Sequence, residues 1–151
     1  HADLLCGAKY VITPSAHTSK EHLDAYVELV KDIKAVPIVM DPATHDYCAA
    51  AISHVPHIIA VSLVNMVRTS DNEEQNMKAF AAGGFKDITR IASSSPEMWE
   101  SICLSNADSI DHFLSLMIDE LTKMRSYIAN EQGGEINRFF ASSREYRDSI
   151  H

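Results

Sequence analysis

The stretch HDYCAAAISHVPHIIA, His45–Ala60, places three histidines within thirteen residues and sets a proline in what otherwise reads as a helix. Its apolar residues continue to Thr69, so 41–69 reads as one long helix capped by Asp41 or Thr44. Pro56 removes one backbone hydrogen bond and presses on the carbonyl of Ile52, which predicts a kink there. His54 and His57 are three apart, about 60° around a helix axis. Ser53 and His57, four apart, lie closer still to one line. His45 falls on the opposite side. A metal site needs further ligands, and no Cys pair or HExxH pattern supplies them, so no metal is expected. Two readings stay open from the residues alone. The histidines are half-buried groups bonded to backbone near the kink, or they line a pocket beside it.

Working outward, the N-terminal side has a different texture. KYVIT, Lys9–Thr13, is rich in β-branched residues and bounded by Pro14, so it reads as a strand. In SKEHLDAYVELVKDIK, Leu23, Tyr26, Val27 and Val30 fall at helical spacing behind an N-cap at Ser19. AVPIVM, Ala35–Met40, is a second strand. This is a strand-helix-strand unit, and two short strands do not make a stable sheet by themselves. From Asp41 onward everything reads as helix. Ser70 and Glu73 have capping-box spacing and open a helix over 70–82 that Gly83-Gly84 breaks. FKDITRIA is a short helix, and SSPEMWESICL another with Ser95 as N-cap and Pro96 at N1. Residues 106–132 form a long amphipathic helix ended by Gly133-Gly134, followed by a last helix over 135–150. The fold class is therefore mainly α: an all-helical domain, 42–151, behind the remnant of an α/β domain, 1–41.

Composition narrows the function classes. Of 151 residues, 46% are apolar and 23% charged, as in an ordinary globular domain. The net charge of −8 argues against nucleic acid or an anionic membrane as partner. It also means that an anionic substrate needs a local anchor, an arginine or a helix N-terminus. No uninterrupted apolar run of about 18 residues predicts a membrane span, and no signal peptide is apparent. Cys6, Cys48 and Cys103 are odd in number and far apart, which reads as reduced thiols in a cytoplasmic compartment. No P-loop, GxGxxG or GxSxG occurs.

The second cluster with chemical content is GGFKDITRIASSSPEMW, Gly83–Trp99. The glycines allow a sharp turn and a close approach to a ligand. Asp87 and Arg90 are spaced to form a surface pair, which is worth little. Alternatively, Arg90 clamps a carboxylate through its planar fork. Trp99, the single tryptophan, fits a core as well as a site.

Together, DP..HD......SH.PH..A and GGFKD.TRIA.S.P.MW resemble the prephenate dehydrogenase family, which includes arogenate dehydrogenases. The preceding ADLLCGAKYVITP resembles the end of that family's Rossmann domain. The likeness covers nearly the whole chain and fades after about Gly133. It implies an NAD- or NADP-dependent enzyme of tyrosine biosynthesis that oxidatively decarboxylates prephenate or arogenate, with a helical domain that forms a homodimer. It implies a substrate wall of Ser53, His54, His57, Gly84, Asp87, Arg90 and Trp99, with Arg90 on the substrate carboxylate. The family's glycine loop and its hydroxyl-side Ser and His lie upstream of the quoted residues. No catalytic group and no bound cofactor are therefore expected within this stretch. Tyrosine is a candidate inhibitor. The competing readings are a non-catalytic helical dimerisation or tyrosine-sensing module, and another dehydrogenase with a similar helical second domain.

Overall fold

A computed structural model describes residues 3–150; positions 1–2 and 151, the outermost residues of the two expected segments, lie outside it. Strand β1 (Lys9–Ile12), helix α1 (Lys20–Asp32) and strand β2 (Val36–Val39) come first. The strands pair in parallel, with Lys9 opposite Val36 and Ile12 opposite Val39. Parallel pairing requires a crossover, and α1 provides it. Ser19 caps α1 by accepting the His22 N–H at 3.2 Å. Ile12, Val30 and Ala35 form the small core, with Tyr10, Leu23 and Val27 packed against it. Tyr26, expected on that face, stays at its rim and shares a hydroxyl–hydroxyl hydrogen bond of 3.0 Å with Tyr10.

The long apolar helix is not one regular helix. α2 (Pro42–Ala49) runs into a π-helical turn, Ala50–His54, and then into α3 (Val55–Ser70). Asp41 is the cap, accepting from the Thr44 N–H and hydroxyl. These bonds, the Thr44 hydroxyl first, hold the Asp41 carboxyl below its usual range. At the turn, the Val55 N–H donates to the Ala50 carbonyl, five residues back. Pro56 has no N–H to give, and a wider turn directly precedes it. Ala50, Val55 and Ala60 are buried. The run Pro42–Ser70, 29 residues, is long and apolar enough by length and composition to cross a membrane. The uninterrupted-run criterion missed this, because scattered polar residues break the run without making it hydrophilic. A helix that is covered by other helices has the same composition.

Downstream, α4 is only Asn76–Phe80. Ser70 ends α3 and caps nothing, because Asp71 takes over: its carboxylate accepts the N–H groups of Asn72, Met77 and Lys78. Desolvation opposes ionisation of Asp71, and those three donors outweigh it, so its pKa is lowered. α5 (Gly83–Thr89) continues into a 3-10 turn, Arg90–Ala92, and both pack on α3. Gly83 and Gly84 sit in the first turn of α5 with ordinary negative φ and open space around them, so no sharp turn depends on them. α6 (Pro96–Ser105) starts as expected, with Ser95 accepting the Met98 N–H at 3.3 Å.

The chain divides into two compact units, His1–Ile110 and Asp111–His151. The second holds the rest of α7 (Ala107–Ala129) together with α8 (Gly133–Asp148). α7 stops before its glycines. Glu131 takes the left-handed conformation, φ 52°, and the Gln132 N–H reaches back to the Tyr127 carbonyl at 2.9 Å. Gly133-Gly134 open α8.

Candidate functional site

The first unit brings part of the expected wall together. His57, in the first turn of α3, stacks on Trp99 of α6 with ring centroids 4.2 Å apart and planes tilted by 31°. His54, in the π-helical turn, meets the same indole edge-on at 6.1 Å. Two histidines therefore meet one aromatic ring, although His57 and Trp99 are 42 residues apart in sequence. The Ser53 contribution is its backbone, whose carbonyl lies 2.9 Å from His57 Nδ1, while its side chain is exposed.

His57 and Trp99 line an apolar cavity of about 320 Å³, together with Val61, Pro96, Glu100 and Cys103. The Trp99 Nε1–H is buried and has no hydrogen-bond partner among the described residues. A buried donor without a partner costs stability, and a ligand acceptor removes that cost.

Gly84, Asp87 and Arg90 do not line this cavity. All three are exposed, on α5 and the turn that follows it, against α3. The Asp87–Arg90 pair does not form, and Arg90 carries no ion pair among the described residues. Its five donors are free to meet a carboxylate. No group of three or more His, Cys, Asp or Glu side chains among the described residues could hold a metal ion.

Burial pushes the His54 pKa down. The Asp46 carboxylate opposes that shift, and the nearby His45 and His57 add to it. His54 Nδ1 also lies 3.3 Å from the Asn106 side-chain nitrogen, which is 2.7 Å from the Asp46 carbonyl. Sequence reading missed Asn106. It sits sixty residues from Asp46, at a helix junction where asparagine is ordinary, so no local spacing marks it.

A second, larger cavity of about 550 Å³ opens at the far end of α3, among Val64, Arg68, Asp71, Gln75, Lys78 and Phe85. None of the expected site residues lines it. Asp71 and Lys78 are tied into the loop bonding there.

Comparison with known proteins agrees with this architecture. The family described as "Prephenate dehydrogenase, dimerization domain" matches residues 41–142. The chain is 42% identical over 143 residues to a prephenate dehydrogenase of Bacillus subtilis, covering 95% of this chain and 38% of that protein. It is 31% identical over 147 residues to a cyclohexadienyl dehydrogenase of Zymomonas mobilis, covering 97% of this chain and 50% of that one. Among solved structures, prephenate dehydrogenase from A. aeolicus in complex with hydroxyphenyl propionate and NAD+ superposes with a TM-score of 0.91 at 30% identity, over 99% of this chain and 52% of that one. Synechocystis arogenate dehydrogenase shares the fold, with a TM-score of 0.89 at 24% identity, over 99% of this chain and 54% of that one. The chain thus spans half or less of the length of these curated relatives. With a family match over 41–142 and a relative at 42% identity over nearly its whole length, the chain belongs to the prephenate dehydrogenase family.

Proposed function

We propose that this chain forms the C-terminal part of an NAD- or NADP-dependent prephenate or arogenate dehydrogenase acting in tyrosine biosynthesis. Residues 1–41 are the end of its dinucleotide-binding domain, and 42–151 its helical dimerisation and substrate-binding domain. Support for the boundary comes from the start of the family match at residue 41. The observation that carries the reading is the wall of His57 and Trp99 on an apolar cavity, with an unpaired arginine on the helices packed against α3.

In this reading the substrate wall is Ser53, His54, His57, Gly84, Asp87, Arg90 and Trp99. The substrate carries carboxylate charge into an acidic protein. Arg90 supplies the local cation, and the Trp99 face and the apolar cavity exclude water from the ring. The chemistry is removal of hydride from the ring carbon bearing the hydroxyl, with loss of carbon dioxide drawn forward by aromatisation. A nicotinamide cofactor, held by the rest of the dinucleotide-binding domain in this reading, would supply the hydride acceptor. The segment between β1 and α1, residues 13–19, contains no glycine and begins with Thr13-Pro14, so it does not fit a dinucleotide pyrophosphate. This chain's own role is therefore to bind and orient the substrate. The functional unit is a homodimer in the cytoplasm. Three free cysteines suit a reducing compartment, and tyrosine is a candidate inhibitor. Adding prephenate or arogenate to the full-length protein with NAD+ or NADP+ should produce reduced cofactor absorbance. No reduction with either substrate and either cofactor overturns the reading.

A further inference from the structure

The hydrogen bonds around the two histidines fix where their protons are. A carbonyl oxygen only accepts. The Asn106 side-chain atom 2.7 Å from the Asp46 carbonyl must therefore be the amide nitrogen, so this contact settles the orientation of the amide. The same nitrogen lies 3.3 Å from His54 Nδ1 and has a second hydrogen to give. His54 Nδ1 can receive it only through a lone pair, so the His54 proton sits on Nε2. His57 is the reverse case. Its Nδ1 lies 2.9 Å from the Ser53 carbonyl, so that nitrogen is the donor and carries the proton. The free lone pair of His57 is on Nε2.

We propose that Asn106 is a positioning residue which, together with the Ser53 carbonyl, holds His54 and His57 in opposite tautomers beside Trp99. His54 then has an N–H left for another partner, and His57 a lone pair. The two rings are not interchangeable. His57 can take a proton at Nε2 and keep its bond to Ser53, and the resulting cation would lie against the Trp99 face, where a positive charge is favoured. A proton added to His54 would have to go on Nδ1, against the Asn106 N–H. An anionic ligand group therefore meets a neutral donor at His54 and a proton-accepting nitrogen at His57. This role toward substrate rests on the functional reading above, whereas the tautomers rest on the bonds alone.

The test is nitrogen NMR on the full-length protein labelled with [15N]histidine, at a pH of about 8, above the ordinary histidine pKa of about 6.5. The two rings are assigned from the loss of signal in His54→Gln and His57→Gln. A bare ring nitrogen resonates well away from a protonated one. The bare nitrogen should be Nδ1 in His54 and Nε2 in His57. Asn106→Asp replaces the donor by an acceptor and should move the His54 proton to Nδ1, leaving His57 unchanged. Two identical tautomers in the unsubstituted protein overturn the proposal. So does a His54 tautomer indifferent to Asn106→Asp in a variant with unaltered circular dichroism. Should that variant not fold, the spectrum of the unsubstituted protein decides alone. In kinetics, Asn106→Ala should lower kcat/KM about 10–100-fold, the range for partners that orient metal-bound histidines. A protein that turns over neither prephenate nor arogenate removes the substrate reading, and the tautomer assignment is still decided by the spectrum.

Discussion

The imidazole of His57 lies against the indole of Trp99 with centroids 4.2 Å apart, while the indole N–H, buried, meets no acceptor among the described residues. The ring is held by its face and its one polar atom is unmet. Trp99→Phe keeps a ring for His57 and deletes the unpartnered donor, whose burial costs about 1–3 kcal/mol. It should therefore cost much less stability than Trp99→Ala, where about 3 kcal/mol is expected for loss of a half-buried tryptophan. Urea unfolding followed by circular dichroism, without ligand, measures both. Equal losses would contradict the unmet donor.

Arg90 should matter through a carboxylate. In the full-length enzyme, Arg90→Ala should weaken productive substrate binding by about 2–4 kcal/mol, seen chiefly in KM. Lysine should restore only part, since it lacks the planar fork. Arg144, exposed on α8, is the comparison. If Arg144→Ala proves the more costly in steady-state kinetics, the substrate contact has been placed on the wrong helix.

His54 makes stability depend on pH. Its folded pKa is lowered, by burial first, so the unfolded chain binds the proton more tightly. Above the unfolded pKa of about 6.5 both states are neutral and His54 has no effect. As pH falls from there through the lowered folded value, stability is lost. His54→Gln should flatten the acid side of the curve of midpoint denaturant concentration against pH. An unchanged slope would show that His54 titrates alike in both states.

The second unit leaves Leu116, Ile118, Leu121 and Ile128 of α7, and Phe140 and Tyr146 of α8, exposed. So much uncovered apolar surface needs a partner, and the family match names a dimerization domain. Light scattering at micromolar concentration should give about twice the 16.8 kDa of one chain. Leu121→Glu should shift the mass toward one chain. A monomer mass for the unsubstituted protein would refute the dimer.

Much of this was readable from residue pattern. β1, α1 and β2 follow from β-branched runs and a helical stripe, and the caps at Ser19, Asp41 and Ser95 follow from side-chain chemistry that acts within three residues. What was not readable depends on competition or distance. Ser70 has capping-box spacing, but Asp71 next to it offers a carboxylate to three N–H groups and ends the contest. The glycines at 133 and 134 looked like a helix stop, yet Glu131 accepts the left-handed conformation first. Pro56 announced a disturbance without saying that the turn before it would widen. The pairing of His57 with Trp99 came from family likeness and not from spacing, and Asn106 came from neither.

The widened turn at Ala50–His54 also acts as a phase shift. A Val55 N–H that reaches five residues back, where a regular helix reaches four, accommodates one surplus residue in the spiral. Every side chain of α3 is rotated by about 100° relative to α2, compared with an unbroken helix. Helical-wheel arithmetic is therefore valid within 42–49 and within 55–70, but not across them. Deleting Ala51 would let the helix run regular and turn His57 off the Trp99 face while leaving the composition of the stretch almost untouched.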